Sequence, residues 1–487
     1  MSRTVRRATP RPRGGAPRAP RRPRDLEDLA PMIRALSDPR ESVRRTVAKL
    51  LGQRGDGRAA SALAVALADP DPSVRASAAK ALGLIARAES RGPLEEALSD
   101  PDPRVREVAA WSLWRIGAPD STPRLVAALA DPAPGVRWTA AAALGRCGGP
   151  GAREALGAAL SDPNDRVRRE AVLALGVGAD RSVAPVVRPM LDDPARRVRT
   201  AAAVVLGRIR DRACVPTLLA RADGPDVWER PAVLVALGRI GDPRATPALV
   251  RAAEDPAHFL RVCALHALGE LGAPEGRAVA RAHLADPAWA VRGAAAVCLG
   301  AVGAAEDLGP LLALLEDPHP WPRSSAAYAL GRLGLVAAAP RLREELAHPA
   351  AEVRLAAVWS LGRLKDDGAR AELVRLLERA GRPGRSGPMP RPAPALAAGE
   401  GAIRLASDAE ERIFDTIVQA LGRMRRADED PFVEEALWDA RERLGDEELD
   451  RAARLPPLEH AEGGRPPTLR DLFDLALPTG EPEGTGG

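Results

Sequence analysis

A series of Asp-Pro dipeptides begins at positions 38, 69, 100, 131, 162, 193, 255, 286 and 317, its members always a multiple of 31 residues apart. Two further slots of the series hold Gly224-Pro225 and His348-Pro349. Six residues after every slot stands an arginine, and seven beyond that a leucine. Glycine follows the leucine at 52, 83, 145, 176, 207, 238, 269, 300, 331 and 362, with Trp114 replacing it in one unit. Eleven registers without a slip define a tandem array. A length of 487 residues would otherwise point to two to four domains. Here it is one unit repeated.

Each unit reads as helix, tight turn, helix. Thr122-Pro123 and Thr246-Pro247 have the form of an N-cap followed by proline at the first helical position. Proline again opens the second helix at Pro72, Pro103 and Pro134. Counted from the repeated arginine as zero, small or apolar residues recur at −1, +3, +6, +7 and +10, which is one face of a helix. Aromatics make up only 3% of the chain, so Ala, Leu and Val must build the core. A pair of such short helices cannot bury its own faces, and the units must stack into a solenoid.

The strings Asp69 to Gly83 and Ala236 to Asp242 carry the pattern most fully. They resemble the HEAT repeat, in particular the short class named for phycobilisome bilin lyases. The resemblance spans about 25 to 425 with one interruption. It implies an all-α, right-handed α-solenoid of about 12 helix pairs, on the order of 100 Å long at 8–10 Å per helix layer. It does not imply a function, because one fold hosts many.

The register also divides the chain. Residues 1–24 hold nine Arg and no acid and read as a disordered basic arm. Residues 25–378 hold eleven repeats and the first helix of a twelfth. The next Leu-Gly pair is Leu421-Gly422, so a Pro-, Gly- and Arg-rich stretch at 379–407 is a flexible insert. Residues 408–455, where Phe414 takes the arginine slot, form a degenerate last repeat and a cap at Phe432 to Leu444. Residues 456–487 read as a mostly disordered acidic tail, in which Leu469 to Leu477 is a candidate docking helix.

Nine aspartates (Asp38, Asp69, Asp100, Asp131, Asp162, Asp193, Asp255, Asp286, Asp317) and eleven arginines (Arg44, Arg75, Arg106, Arg137, Arg168, Arg199, Arg230, Arg261, Arg292, Arg323, Arg354) keep the fixed spacing. Catalytic chemistry does not repeat eleven times. The resemblance implies that these side chains form a structural ladder between units. An arginine fork suits both carboxylates and the free carbonyls ending a helix.

The resemblance also places the second helices on the concave side, where positions +1, +5 and +9 face the groove. On those rows stand Trp111, Arg115, Trp138, Arg146, Tyr328, Arg332, Trp359 and Arg363, and Trp114 at +8 falls on the same side; these are the candidate partner-binding residues. Trp and Arg anchor protein interfaces. The same pair stacks on bases and grips phosphates. Arg208, Arg239 and Arg363 each have an aspartate three residues on (Asp211, Asp242, Asp366) that offers a local partner.

Signs of catalysis are poor. No Walker loop, GxSxG or dinucleotide fingerprint occurs. None of the six histidines is followed by Glu, unlike the repeated His-Glu pairs of the deoxyhypusine hydroxylases. Cys263, His266 and Cys298 have spacing that a metal site could use, but the two cysteines fill small-residue slots. Nothing marks a bilin site, and lyase activity is the weakest reading. The HEAT-like alkylpurine DNA glycosylases also use concave Trp, Asp and Arg, without a residue-by-residue match here. No catalytic, metal or cofactor residue is expected.

The formal charge of +5 misleads. Without the nine arginines of the arm, 62 basic residues face 66 acids. From Asp428 onward the chain holds 17 acids against six Arg. No stretch reaches 18 apolar residues and the four cysteines show no paired spacing, so a reduced, cytoplasmic protein is expected, with GC-rich bacterial coding. The leading expectation is a non-enzymatic scaffold or adaptor that binds another protein in its groove. The runner-up is nucleic-acid binding through the basic arm and groove Trp and Arg.

Overall fold

In a computed structural model the described residues are 29–117, 119–178 and 180–380. The basic arm, the insert, the degenerate last repeat and the acidic tail lie outside them. Every regular element among the described residues is a helix, and they alternate short and long. First helices run four to eight residues, as in Thr122–Ala128 and Thr246–Ala253, except for the longer Arg370–Ala380 that opens repeat 12. Second helices run 11 to 14, as in Pro103–Ile116, Pro134–Cys147 and Arg230–Ile240. The described residues form two compact units, repeats 1–5 up to Val177 and repeats 6–12 from Gly178.

Local chemistry sets the boundaries. Asp71, Asp102 and Asn164 cap second helices by accepting backbone N–H groups from their first turns. Pro72, Pro103 and Pro134 occupy the opening positions, where a missing N–H costs nothing. Gly117, Gly241 and Gly272 end them at φ of 69–71°, a left-handed turn that glycine adopts without strain.

The entry to the first helices differs from the sequence expectation. Thr122 and Thr246 are already helical, and one turn of 3-10 helix (Pro119–Ser121, Pro243–Ala245) precedes each. That turn moves the cap upstream: Asp242 accepts the N–H of Arg244. Thr122 Oγ1 donates backward to the carbonyl of Pro119 and forward to that of Gly148, so it ties repeat 4 to the loop leaving it.

The core is Ala, Leu and Val, in periodic slots. Val74, Ala78, Leu82, Val105, Ala109 and Leu113 are fully buried, and their counterparts through Leu361 are buried as well, with Glu229 the one charged residue in these slots. The repeated Leu-Gly glycine lies inside the second helix, where glycine costs roughly 1 kcal/mol against alanine. Its neighbour explains it. A Cβ on Gly52, Gly145, Gly207 or Gly238 would stand 2.6 to 2.8 Å from the backbone Cα of the alanine at +6 in the next repeat. In two units serine fills that +6 slot and uses the proximity: Ser112 donates to the carbonyl of Ala79, and Ser360 to that of Ala327, both at 2.8 Å.

Candidate functional site

Six rungs join Arg and Asp of successive repeats in one geometry: Arg44–Asp69, Arg75–Asp100, Arg106–Asp131, Arg137–Asp162, Arg261–Asp286 and Arg292–Asp317. The guanidinium donates from Nε and one terminal nitrogen to both carboxylate oxygens at 2.5 to 3.0 Å. Its other nitrogen donates to the carbonyls of the Asp-Pro in its own repeat. The carboxylate also accepts the backbone N–H two residues on. Every guanidinium nitrogen and both carboxylate oxygens are thereby bonded at a largely buried place, which makes such charges tolerable there. For Asp69 the Arg44 fork is the main cause of a pKa below the usual carboxylate range. For Asp100, Asp131, Asp286 and Asp317 burial pushes upward, and the arginine fork with the backbone N–H outweighs it.

Where the Asp-Pro slot lacks Asp, another carboxylate is recruited. Arg199 reaches Glu229 at 2.7 Å and Asp226 at 3.0 Å, beyond Gly224-Pro225. Arg323 reaches Glu345 at 3.1 Å, just before His348-Pro349, while His348 Nδ1 accepts the N–H of Ala350. Arg230 lies 2.8 Å from Asp255. Arg168 and Arg354 donate to the Asp162, Pro163, His348 and Pro349 carbonyls. Asp193 accepts the N–H of Ala195, and Asp38, at the start of the array, binds Arg40.

The candidate partner-binding residues fall in two places. In repeats 3 and 4, Trp111, Trp114 and Trp138 are half-buried and line one cavity of about 530 Å³. Lys80, Glu107, Val108, Thr139, Ala142 and Glu170 complete its walls. Trp114 is the residue that replaces the packing glycine, so the break in the repeat coincides with the cavity. Arginines stack on the indoles without lining the cavity: Arg115 on Trp111, Arg146 on Trp114 and Arg166 on Trp138, at 5.2 to 5.5 Å from the ring centroids. Arg115 also donates to the carbonyl of Gly83 in the preceding repeat.

In repeats 10 and 11, Tyr328 stacks on Trp359 with centroids 4.4 Å apart, and Arg363 stands over the same indole at 5.5 Å. Trp359 is only 6% exposed, which departs from the expectation of an open groove residue. Its neighbours from the adjacent repeat and the next turn cover it. Arg332 and Arg363 are exposed. The three aspartates offered as local partners also meet further arginines: Asp211 accepts Arg188, Asp242 accepts Arg244, and Asp366 lies 3.4 Å from Arg343.

Reading only the groove rows missed a second group of aromatics. Trp228 stacks parallel to Phe259, and Trp289 stacks on His319 and meets Trp321 edge-on. Trp228 and Trp289 are 46% and 41% exposed. Trp228, Phe259 and Trp321 sit at −2, Trp289 at −3 and His319 at −4 from the repeated arginine, on the turn side of the second helices. That shared register was the signal available in the sequence.

Nothing reactive gathers. Burial pushes the thiols of Cys263 and Cys298 up to about 12, and burial with the nearby Asp211 does so for Cys214. Burial drives the His266 imidazole down to about 4, and its Nε2 has no hydrogen-bond partner. Among the described residues no group of three or more His, Cys, Asp or Glu is placed to hold a metal, and no helix is long and apolar enough to cross a membrane.

Comparison with curated proteins found no match. Among solved structures, YibA from Escherichia coli is 23% identical, over 50% of this chain and 92% of that one, with a TM-score of 0.40. A chain of the Kap95p–RanGDP structure is 15% identical over 92% of this chain and 69% of that one, at 0.46. One of the complex of CpcE and CpcF of phycocyanin lyase from Nostoc is 25% identical over 54% and 92%, at 0.26. A family model for HEAT repeats matches eight overlapping stretches that run from 29 to 385 without a gap. With the 31-residue register and the stacked helix pairs, those matches establish that the chain belongs to the HEAT-repeat family, an all-α solenoid.

Proposed function

We propose that the chain is a non-enzymatic, protein-binding scaffold that engages its partner on the second-helix face of repeats 2–5. One observation carries this reading: three tryptophans from neighbouring repeats wall a cavity large enough to seat a partner side chain. A scaffold needs such an anchor on a rigid frame, and the Arg–Asp rungs of repeats 1–5 supply the frame. The buried, protonated thiols and the unpartnered, neutral His266 supply no activated nucleophile or base, which favours binding over catalysis.

The test is quantitative affinity purification with the full chain, the Trp111→Ala/Trp138→Ala variant and the exposed-surface control Arg244→Ala. Loss of an interface anchor costs ~2 kcal/mol or more, so the double variant is expected to deplete a defined protein set by roughly tenfold or more. The control should leave that set intact. If no protein depends on the two tryptophans, the reading fails. Recovery of nuclease-sensitive DNA or RNA in place of protein would favour the nucleic-acid reading.

A further inference from the structure

We infer that the Trp-walled cavity takes an organic cation, a guanidinium or ammonium group on an alkyl stem presented by a basic segment of the partner. The inference rests on the protein-binding reading and specifies what enters. The ionisable groups in the walls are Lys80, Glu107 and Glu170. Glu170 already accepts a bond from Arg169. Glu107, half-buried beside Val108 and Trp111, makes no hydrogen bond or ion pair among the described residues. Its carboxylate lies against Gly135, whose missing side chain leaves room: a Cβ there would sit 2.6 Å from Glu107 Oε2. A half-buried carboxylate among indoles gains most from a cation brought in from outside.

The chain displays the required affinity itself. Each of the three indoles already accepts an arginine within 5.5 Å of its centroid, from outside the cavity. The walls that face inward offer the same aromatic surface plus the Glu107 charge. A phosphate or carboxylate entering there would meet the unpaired Glu107 carboxylate. Lys80 is exposed and is the single cation of the lining, so it opposes the ligand.

The test uses the full chain and three short Gly-Ser peptides that differ in a central residue: arginine, its neutral isostere citrulline, or glutamate. Binding is read by calorimetry and tryptophan fluorescence at low and high salt. The arginine peptide is expected to bind at least tenfold tighter than citrulline, and to weaken with salt. Glu107→Gln should reduce its affinity several-fold, and Lys80→Ala should raise it several-fold. Because these two substitutions act in opposite directions, loss of folding cannot mimic the result. Equal binding of arginine and citrulline, or preference for glutamate, overturns the cation assignment while leaving a docking cavity. Failure of every peptide, with partner capture still dependent on Trp111, overturns the cation assignment alone. Failure of both overturns the scaffold reading as well.

Discussion

At the scale of single residues, the recurring arginine matters because it completes three sets of bonds at once. The Arg292 fork meets Asp317, whose side chain is 4% exposed, at 2.5 and 2.9 Å. Arg292→Ala leaves that carboxylate buried without its partner and is expected to cost about 3 kcal/mol. Thermal unfolding followed by circular dichroism should show a clear fall in Tm. Arg244→Ala, which removes an exposed pair, should change stability by no more than ~0.5 kcal/mol. Equal effects from both would remove the ladder from the account. The Asp and Arg of these rungs were legible from spacing alone. Glu229 and Glu345, which stand in at the irregular slots, were not, because proximity after folding rather than register selects them.

His266 makes a second prediction at this scale. Its imidazole titrates near 4 in the fold against 6.5 ordinarily, so between those values the unfolded chain binds more protons. Stability therefore falls as pH drops from 6.5 towards 4. His266→Phe should flatten the slope of Tm against pH in that window. An unchanged slope would show that the ring is not held neutral.

At the scale of the element, the second helix contains a glycine that helix propensity alone would reject. Gly238 lies where a Cβ would come within 2.6 Å of the Ala267 Cα, a backbone atom that cannot step aside. Gly238→Ala gains intrinsic helix propensity yet is expected to destabilise by roughly 1–3 kcal/mol through overpacking between repeats 7 and 8. A urea midpoint raised by the substitution would show that propensity wins and that the notch is not needed. The sequence displayed this glycine as a register broken once, but its purpose became visible only when the next helix was in place. The same holds for Trp114. Its intrusion in the glycine series was plain, and its meaning, a cavity beside the interrupted packing, required the neighbouring repeats.

At the scale of the molecule, the rungs give the chain an acid limit. The aspartates of the six Arg–Asp rungs (Asp69, Asp100, Asp131, Asp162, Asp286 and Asp317) have pKa values lowered from 3.8, so each contributes stability above the ordinary carboxylate range. That contribution is lost as pH falls from about 4 through the lower folded values. Repetition makes the losses coincide. Tm should drop steeply below pH 4 in the full chain, and less steeply in Arg137→Ala, where one rung is already broken. A flat profile down to pH 2.5 would mean that the rungs add nothing.

The sequence by itself determined the fold class, the period, the helix pairs, the small-residue core and the identity of the Arg–Asp series. Stacking identical units leaves few other ways to bury their faces, so local pattern and global structure coincide. Only the tertiary structure decided which groove residues act together. It brought Trp111, Trp114 and Trp138 around one cavity with Glu107, covered Trp359 with Tyr328 and Arg363, and exposed Trp228 and Trp289 on the turn side. The reason is geometric: register assigns a residue to a row along the stack, whereas exposure and company depend on side chains reaching across from neighbouring repeats.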